Sequence, residues 1–464
     1  MKYISTRGKS DPVDFETALI SGMAPDGGLY LPDSWPAISS TAFSHMAGQS
    51  YGDIAAQVML PFTGECIEPS TFHSLLERTY SRDTFRHAVV APLVQIGPNA
   101  WILELFHGPT LAFKDYALQL LGRIFDHVLE KRGEKITIVG ATSGDTGSAA
   151  IEACKGCKNI SIFIMHPKGR VSEVQRKQMT SVQAKNVNNI AVDGNFDDCQ
   201  ALVKALFADE KFRKDYNLSA VNSINWARII AQTVYYVTAA VSLGAPGRPV
   251  NFSVPTGNFG NVFAAYVARE IGLPIESLVI GTNRNDILTR FFESGEMKRG
   301  DVDPTISPSM DIQVSSNFER YLYFLLGGDS KKLEEKMSEF SGKGEFHIEE
   351  ELFSRAKKDF TASRCSEEET LNTIRMCYEE TGYLVDPHTA VGLHAAMSSL
   401  LDPDVPVVSL ACAHPSKFPD AVEKATGIRP ELPGYLCDLM SRPEFLTPLD
   451  NDLERVKAFI SSNV

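Results

Sequence analysis

From about residue 100 onward, short apolar runs alternate with amphipathic stretches of helical period. Residues 136–139, 160–165, 189–192, 250–254, 278–280 and 405–410 have the composition and length of buried strands. The segments after them predict helices from about 147, then over 171–179, 199–207, 226–242 and 262–271. Ala117, Leu120, Leu121, Ile124, Phe125 and Val128 recur at three- and four-residue spacing and predict one more helix, with Lys114 at its head. Such alternation implies an α/β protein with two parallel-sheet domains flanked by helices. Residues 1–95 lack the rhythm and read as a separate N-terminal domain, with helical patterns near 50–60 and 70–80. Residues 96–130 and 215–430 are expected to form a large domain carrying Lys114, and 131–214 a small α/β domain. Residues 285–380 are polar and rich in glutamate, which marks a helical insertion within the large domain; 431–464 read as a helical tail.

Charge and composition narrow the function. The 464 residues carry a net charge of −13, which argues against a nucleic-acid partner, since that would need a basic face. No apolar run is long enough for a bilayer and the first ten residues lack a signal-peptide core, so the expected setting is cytoplasmic with no membrane partner. The eight cysteines are scattered, as in reduced intracellular enzymes. Cys154-Lys-Gly-Cys157 has no second ligand pair, so it reads as a helix terminus, and no metal is expected.

The chemistry concentrates in three places. His107-Gly-Pro-Thr-Leu-Ala-Phe-Lys-Asp115 puts a lysine at a helix start with its stem against apolar neighbours. Partial desolvation favours the neutral form of an amine, the form that attacks a carbonyl. Gly140-Ala-Thr-Ser-Gly-Asp-Thr-Gly-Ser148 links a strand to a helix, where converging N–H groups suit an anion; the hydroxyls of Thr142, Ser143, Thr146 and Ser148 add donors for a carboxylate. Pro255-Thr-Gly-Asn-Phe-Gly-Asn261 is a second such turn and a phosphate cradle, but it has neither a dinucleotide nor a nucleotide P-loop signature. Two anion turns and a helix-head lysine point to pyridoxal 5′-phosphate.

These motifs, with Gly27-Gly-Leu-Tyr-Leu-Pro32, His166-Pro-Lys-Gly-Arg-Val-Ser172, Asn222-Ser-Ile-Asn-Trp-Ala-Arg-Ile229 and Ala413-His-Pro-Ser-Lys-Phe418, occur in the order seen in one family. The chain resembles the threonine synthases of the bacterial and fungal branch of the fold-type II pyridoxal-phosphate enzymes, whose fold is like that of the tryptophan synthase β subunit. The resemblance implies conversion of O-phospho-L-homoserine and water to L-threonine and phosphate, the last step of threonine biosynthesis. It implies that Lys114 forms the Schiff base and that Gly257, Asn258, Phe259, Gly260 and Asn261 hold the cofactor phosphate. Asp145 would lie near the cofactor's 3′-oxygen, and Thr142, Ser143, Gly144 and Thr146 would bind the substrate carboxylate. Lys168, Ser172, Asn225 and Arg228 are the candidates for the substrate phosphate, as cationic and hydroxyl groups suit it. Cys412, where the family usually has threonine, would face the pyridine nitrogen. A phospho-lyase releasing 2-oxobutyrate from the same substrate, another fold-type II dehydratase, and a catalytically silent binding protein are the alternatives. A monomer or homodimer is expected.

Overall fold

The computed structural model describes residues 1–220 and 223–464; Asn222, the first residue of one of the motifs above, lies outside them. The chain forms two compact units, residues 1–107 with 223–430 and residues 108–222 with 431–464. Lys114 and its helix therefore belong with the smaller α/β unit, not with the large domain expected from sequence. The helix Lys114–Arg132 packs along the helix Asp145–Cys154, so closely that a Cβ on Gly122 would meet the carbonyl group of Ala153.

In the first unit, a six-stranded sheet runs in the order Thr361–Arg364, Ile275–Thr282, Val250–Pro255, Val407–Ala411, Ala100–Glu104, Leu93–Gln95. All pairs are parallel except the last, an antiparallel edge hairpin. Strands Val250–Pro255 and Val407–Ala411 are neighbours, with Ser409 opposite Ser253, so the Pro255–Asn261 turn and Cys412 both leave the same end of the sheet. That is the edge where open α/β sheets bind ligands. The N-terminal segment contributes the antiparallel pair Tyr3–Ser5 and Tyr30–Pro32 and the helices Tyr51–Thr63 and Pro69–Thr79. The 285–380 segment is largely helical, as its pattern predicts. It also gives the sheet its edge strand Thr361–Arg364.

The second unit has a five-stranded parallel sheet in the order Thr447–Asp450, Val187–Asp193, Ile160–Pro167, Ile136–Ala141, Leu218–Ser219. The C-terminal segment is more than a helical tail: its Thr447–Asp450 strand closes one sheet edge. The following helix, Leu453–Asn463, drives Val456 and Ile460, one turn apart, into the core with Phe163, Val192 and Leu206. The strand alternates half-buried and exposed positions, with no continuous apolar run, so its sequence resembles a loop.

Candidate active site

In the second unit, Lys114 is 8% exposed and its Nζ donates to Asp145 Oδ2 at 3.2 Å. The amine also lies 4.9 Å from the Phe113 ring centroid, a cation–π contact. The lysine's position is set by the loop before it. Thr110 donates through both its N–H and its hydroxyl to the Asp115 carboxylate, at 2.8 and 2.7 Å. Gln178 Nε2 donates to the Thr110 carbonyl at 3.1 Å. Between these anchors Leu111 takes φ +59°, a left-handed conformation that is costly for leucine. Its burial against Leu436 and Leu439 holds it there. Such over-determined strain is found where a functional group must be aimed.

Asp145 is the first residue of the helix Asp145–Cys154, where the positive end of the helix dipole favours a carboxylate. The turn before it is braced from within: Thr142 Oγ accepts from the Gly144 and Gly147 N–H groups at 3.0 and 2.9 Å. Thr142 is buried and shapes the turn. Ser143 is exposed and Thr146 half-buried, so their hydroxyls are the accessible ones. Gly144 has φ +147°, and a Cβ there would lie 2.5 Å from the Gln175 amide. Ser172 caps the helix Glu173–Thr180 and also donates to Gln175 Oε1 at 2.8 Å; Lys168 is exposed. Cys154 ends its helix as expected, and burial pushes the Cys157 thiol up to about 12, so both stay protonated.

In the first unit, the helix Gly260–Glu270 follows the second turn directly, and its first N–H groups have no intrahelical acceptor. Phe259 adopts φ +61° and is held by ring contacts to Phe318 at 5.3 Å and Phe360 at 5.4 Å. The turn is braced from 315–317: Ser315 Oγ donates to the Gly257 carbonyl at 2.7 Å, Ser316 Oγ to Asn258 Oδ1 at 3.2 Å, and Asn317 Nδ2 to the Asn258 carbonyl at 3.0 Å. Gly260 and Gly257 have little spare room, as a Cβ on either would sit 3.2 Å from its nearest neighbour. The Asn261 side chain is directed inward. Its Oδ1 accepts from the Tyr235 and Tyr236 hydroxyls, and its Nδ2 lies 3.8 Å from Cys412 Sγ. Asn261 thus ties the turn to buried Cys412 through its side chain.

Asn225 and Arg228 occupy the first turn of the helix Trp226–Ser242. The Asn225 amide is committed at both ends, accepting from the Ala227 N–H at 3.0 Å and donating to the Leu19 carbonyl at 2.8 Å. Arg228 is buried, and burial draws its guanidinium down to about 10, still a cation at neutral pH.

The sequence reading did not pick out Gln175, Ser315, Ser316, Asn317, Tyr235 or Tyr236. A usable signal existed for Gln175 alone, as Ser172-Glu-Val-Gln175 fits a capping box.

His414 sits beside the strand end that carries Cys412. Its Nδ1 accepts from the Ser416 N–H at 3.2 Å, and burial, then the neighbouring His107, holds its pKa down to about 4. An unfolded histidine titrates near 6.5. Between pH 6.5 and 4 the unfolded chain therefore binds a proton that the folded chain refuses, and stability falls as pH drops through that window. The expected loss is about 3 kcal/mol at its acid end. Urea unfolding from pH 7 to 4 measures it, and the slope should flatten in His414→Gln.

The comparisons with known proteins agree with this geometry. Residues 2–80 match the family described as threonine synthase N terminus, 90–333 the pyridoxal-phosphate dependent enzymes, and 389–460 the threonine synthase C-terminal family. The chain is 53% identical over 464 residues to the threonine synthase of Pseudomonas aeruginosa, covering 100% of this chain and 98% of that one. It is 45% identical to that of Saccharomyces cerevisiae, over 91% and 88% of the two chains. The crystal structure of pyridoxal-phosphate-bound threonine synthase from Brucella melitensis superposes with a TM-score of 0.98 at 51% identity, covering 100% and 99%. That from Escherichia coli gives 0.83 at 30%, covering 100% of both.

A buried lysine aimed by a strained loop and two braced anion turns, with these matches, define a fold-type II enzyme that depends on pyridoxal phosphate. The residues fit that group: a shielded primary amine, a turn that opens directly into a helix, and glycines where an added Cβ would crowd neighbouring atoms. Within this class, the chain belongs to the threonine synthase family.

Proposed function

We propose that this chain converts O-phospho-L-homoserine and water to L-threonine and inorganic phosphate. The observation that carries the proposal is the buried Lys114–Asp145 pair at the head of two helices, in a chain 53% identical along its whole length to a threonine synthase. When bound, pyridoxal phosphate supplies an electron sink for the charge left at the substrate's α-carbon.

The chain's own groups do the rest. Lys114 is the base and acid: its amine takes the α-proton and removes a proton from the β-carbon as phosphate leaves the γ-carbon. It then delivers a proton to the γ-carbon to make the methyl group, and returns one to the α-carbon after water has added at the β-carbon. One flexible amine can serve these carbons because it stays within reach of each. Asp145 fixes the direction from which that amine approaches. The accessible hydroxyls of Ser143 and Thr146, with the turn amides, hold the substrate carboxylate. Gly257, Asn258, Phe259, Gly260 and Asn261 hold the cofactor phosphate, through backbone groups in the case of Asn261. Cys412 offers the ring nitrogen a weak donor, which leaves it unprotonated. Arg228 and Lys168 supply cationic charge for the substrate phosphate, with Ser172 as a hydroxyl donor; the committed amide of Asn225 acts through the helix cap. We place the enzyme in the cytoplasm as a monomer or homodimer; among the described residues no helix is long and apolar enough to cross a membrane.

Incubation with O-phospho-L-homoserine and pyridoxal phosphate should yield threonine and phosphate in equal amounts. Phosphate matched by 2-oxobutyrate would instead make the protein a phospho-lyase.

A further inference from the structure

We propose that Gln175 is a positioning residue for the catalytic amine, its side-chain amide fixing the Asp145 carboxylate in the orientation that receives Lys114. The proposal rests on the reading that Lys114 and Asp145 belong to the active site.

Gln175 is buried, and each end of its amide has a defined partner. Its Nε2 donates to Asp145 Oδ1 at 2.9 Å, while Asp145 Oδ2 receives Lys114 Nζ at 3.2 Å. Its Oε1 accepts from the Ser172 hydroxyl at 2.8 Å. Ser172 thus donates to Gln175 and Gln175 to one oxygen of Asp145, while Lys114 donates to the other oxygen. In the usual capping box, the glutamine at this position reaches back to the N-cap backbone. Here its Oε1 takes the N-cap hydroxyl, and its Nε2 spans to the helix Asp145–Cys154.

Packing supports the same reading. The Gln175 amide lies over Gly144, where only a residue without a Cβ leaves it room. Of the other charged groups on the packed elements, Asp115 binds Thr110, and Arg176 and Lys177 pair with Glu444 at 2.9 and 3.5 Å. Buried His166, on the adjoining strand, is kept neutral by its burial. The chemistry sets the polarity. An ionised carboxylate needs a donor facing it, and a glutamine anchored by a serine hydroxyl presents one without adding charge.

The test compares Gln175→Met, which keeps the volume and removes the donor, with Gln175→Glu, which can donate only while protonated. Each full-length protein is loaded with pyridoxal phosphate. The pH midpoint of its visible absorption change is then recorded, with kcat and KM for phosphate release. Loss of a hydrogen bond to a charged group should displace the midpoint by about one to two pH units in the Met variant, and lower kcat about 10- to 100-fold with cofactor stoichiometry unchanged. The Glu variant should approach wild type at acid pH, where one proton bridges the two carboxyl groups, and fail as pH rises and they repel.

A Met variant with the wild-type midpoint and kcat would show that Gln175 only fills space, and would overturn the proposal. If the Met variant does not fold, a Glu variant whose defect is independent of pH does the same. Lys114→Ala run alongside tells a failure of the Gln175 role from a failure of the active site it serves. If it keeps the wild-type absorption band, the active-site reading itself fails, whatever Gln175 does.

Discussion

Replacing Lys114 by alanine or by arginine should lower phosphate release by roughly 10³-fold or more, because in the proposed mechanism the same amine carries the cofactor and moves every proton. The pair of variants is informative because they differ in what they do to the fold. Alanine removes the Lys114 cation from Asp145, 6% exposed, and breaking a buried ion pair costs about 3–5 kcal/mol. Arginine keeps a cation opposite Asp145 but offers no neutral amine at any working pH. Arginine should therefore be as inactive as alanine while unfolding closer to wild type. Steady-state rates and urea midpoints on the same preparations check both halves. Activity that tracks stability across the two would mean that Lys114 matters to the fold and not to the chemistry.

Gly144→Ala should produce the second largest effect. At φ +147° an L-residue is strained, and the new Cβ would lie 2.5 Å from the Gln175 amide. Backbone and amide cannot both stay, so the turn opens, the Gln175 bond to Asp145 is lost, or both occur. Misplacing a positioning element by about 1 Å costs on the order of 100-fold in rate. Strain and overpacking together should remove about 1–3 kcal/mol of stability. Gly156→Ala is the matched control: its φ is also positive, at +77°, but nothing lies within 4 Å of its would-be Cβ. It should share the backbone strain and leave kcat/KM unchanged. Equal kinetic loss in both variants would contradict the account of the turn.

Much of this site was legible in the sequence because it depends on local patterns. The Lys114 helix, both glycine-rich turns and the strands before them follow from hydrophobic period and turn residues, and each lies where the pattern puts it. What escaped depends on distance along the chain. The braces on the second turn come from Ser315, Ser316 and Asn317, more than fifty residues away, in a segment that reads from sequence as an accessory insertion. The Thr447–Asp450 strand was hidden because an edge strand with alternating exposure has no apolar run, and only its partner Val187–Asp193 makes it a strand. Lys114 was assigned to the larger unit because its helix follows that unit's first strands in sequence; packing against Asp145–Cys154 puts it in the other. Asn225 shows a different limit. An asparagine before an apolar periodic run is an ordinary N-cap, and the cap is where its carbonyl oxygen goes.

The most direct test of the central claim is to reduce the pyridoxal-phosphate-loaded protein with borohydride, digest it, and locate the pyridoxyl group by mass spectrometry. One modified peptide is expected, with the group on Lys114 and no other lysine. Modification of a different lysine, or none at all in a protein that releases phosphate from O-phospho-L-homoserine, would contradict the claim.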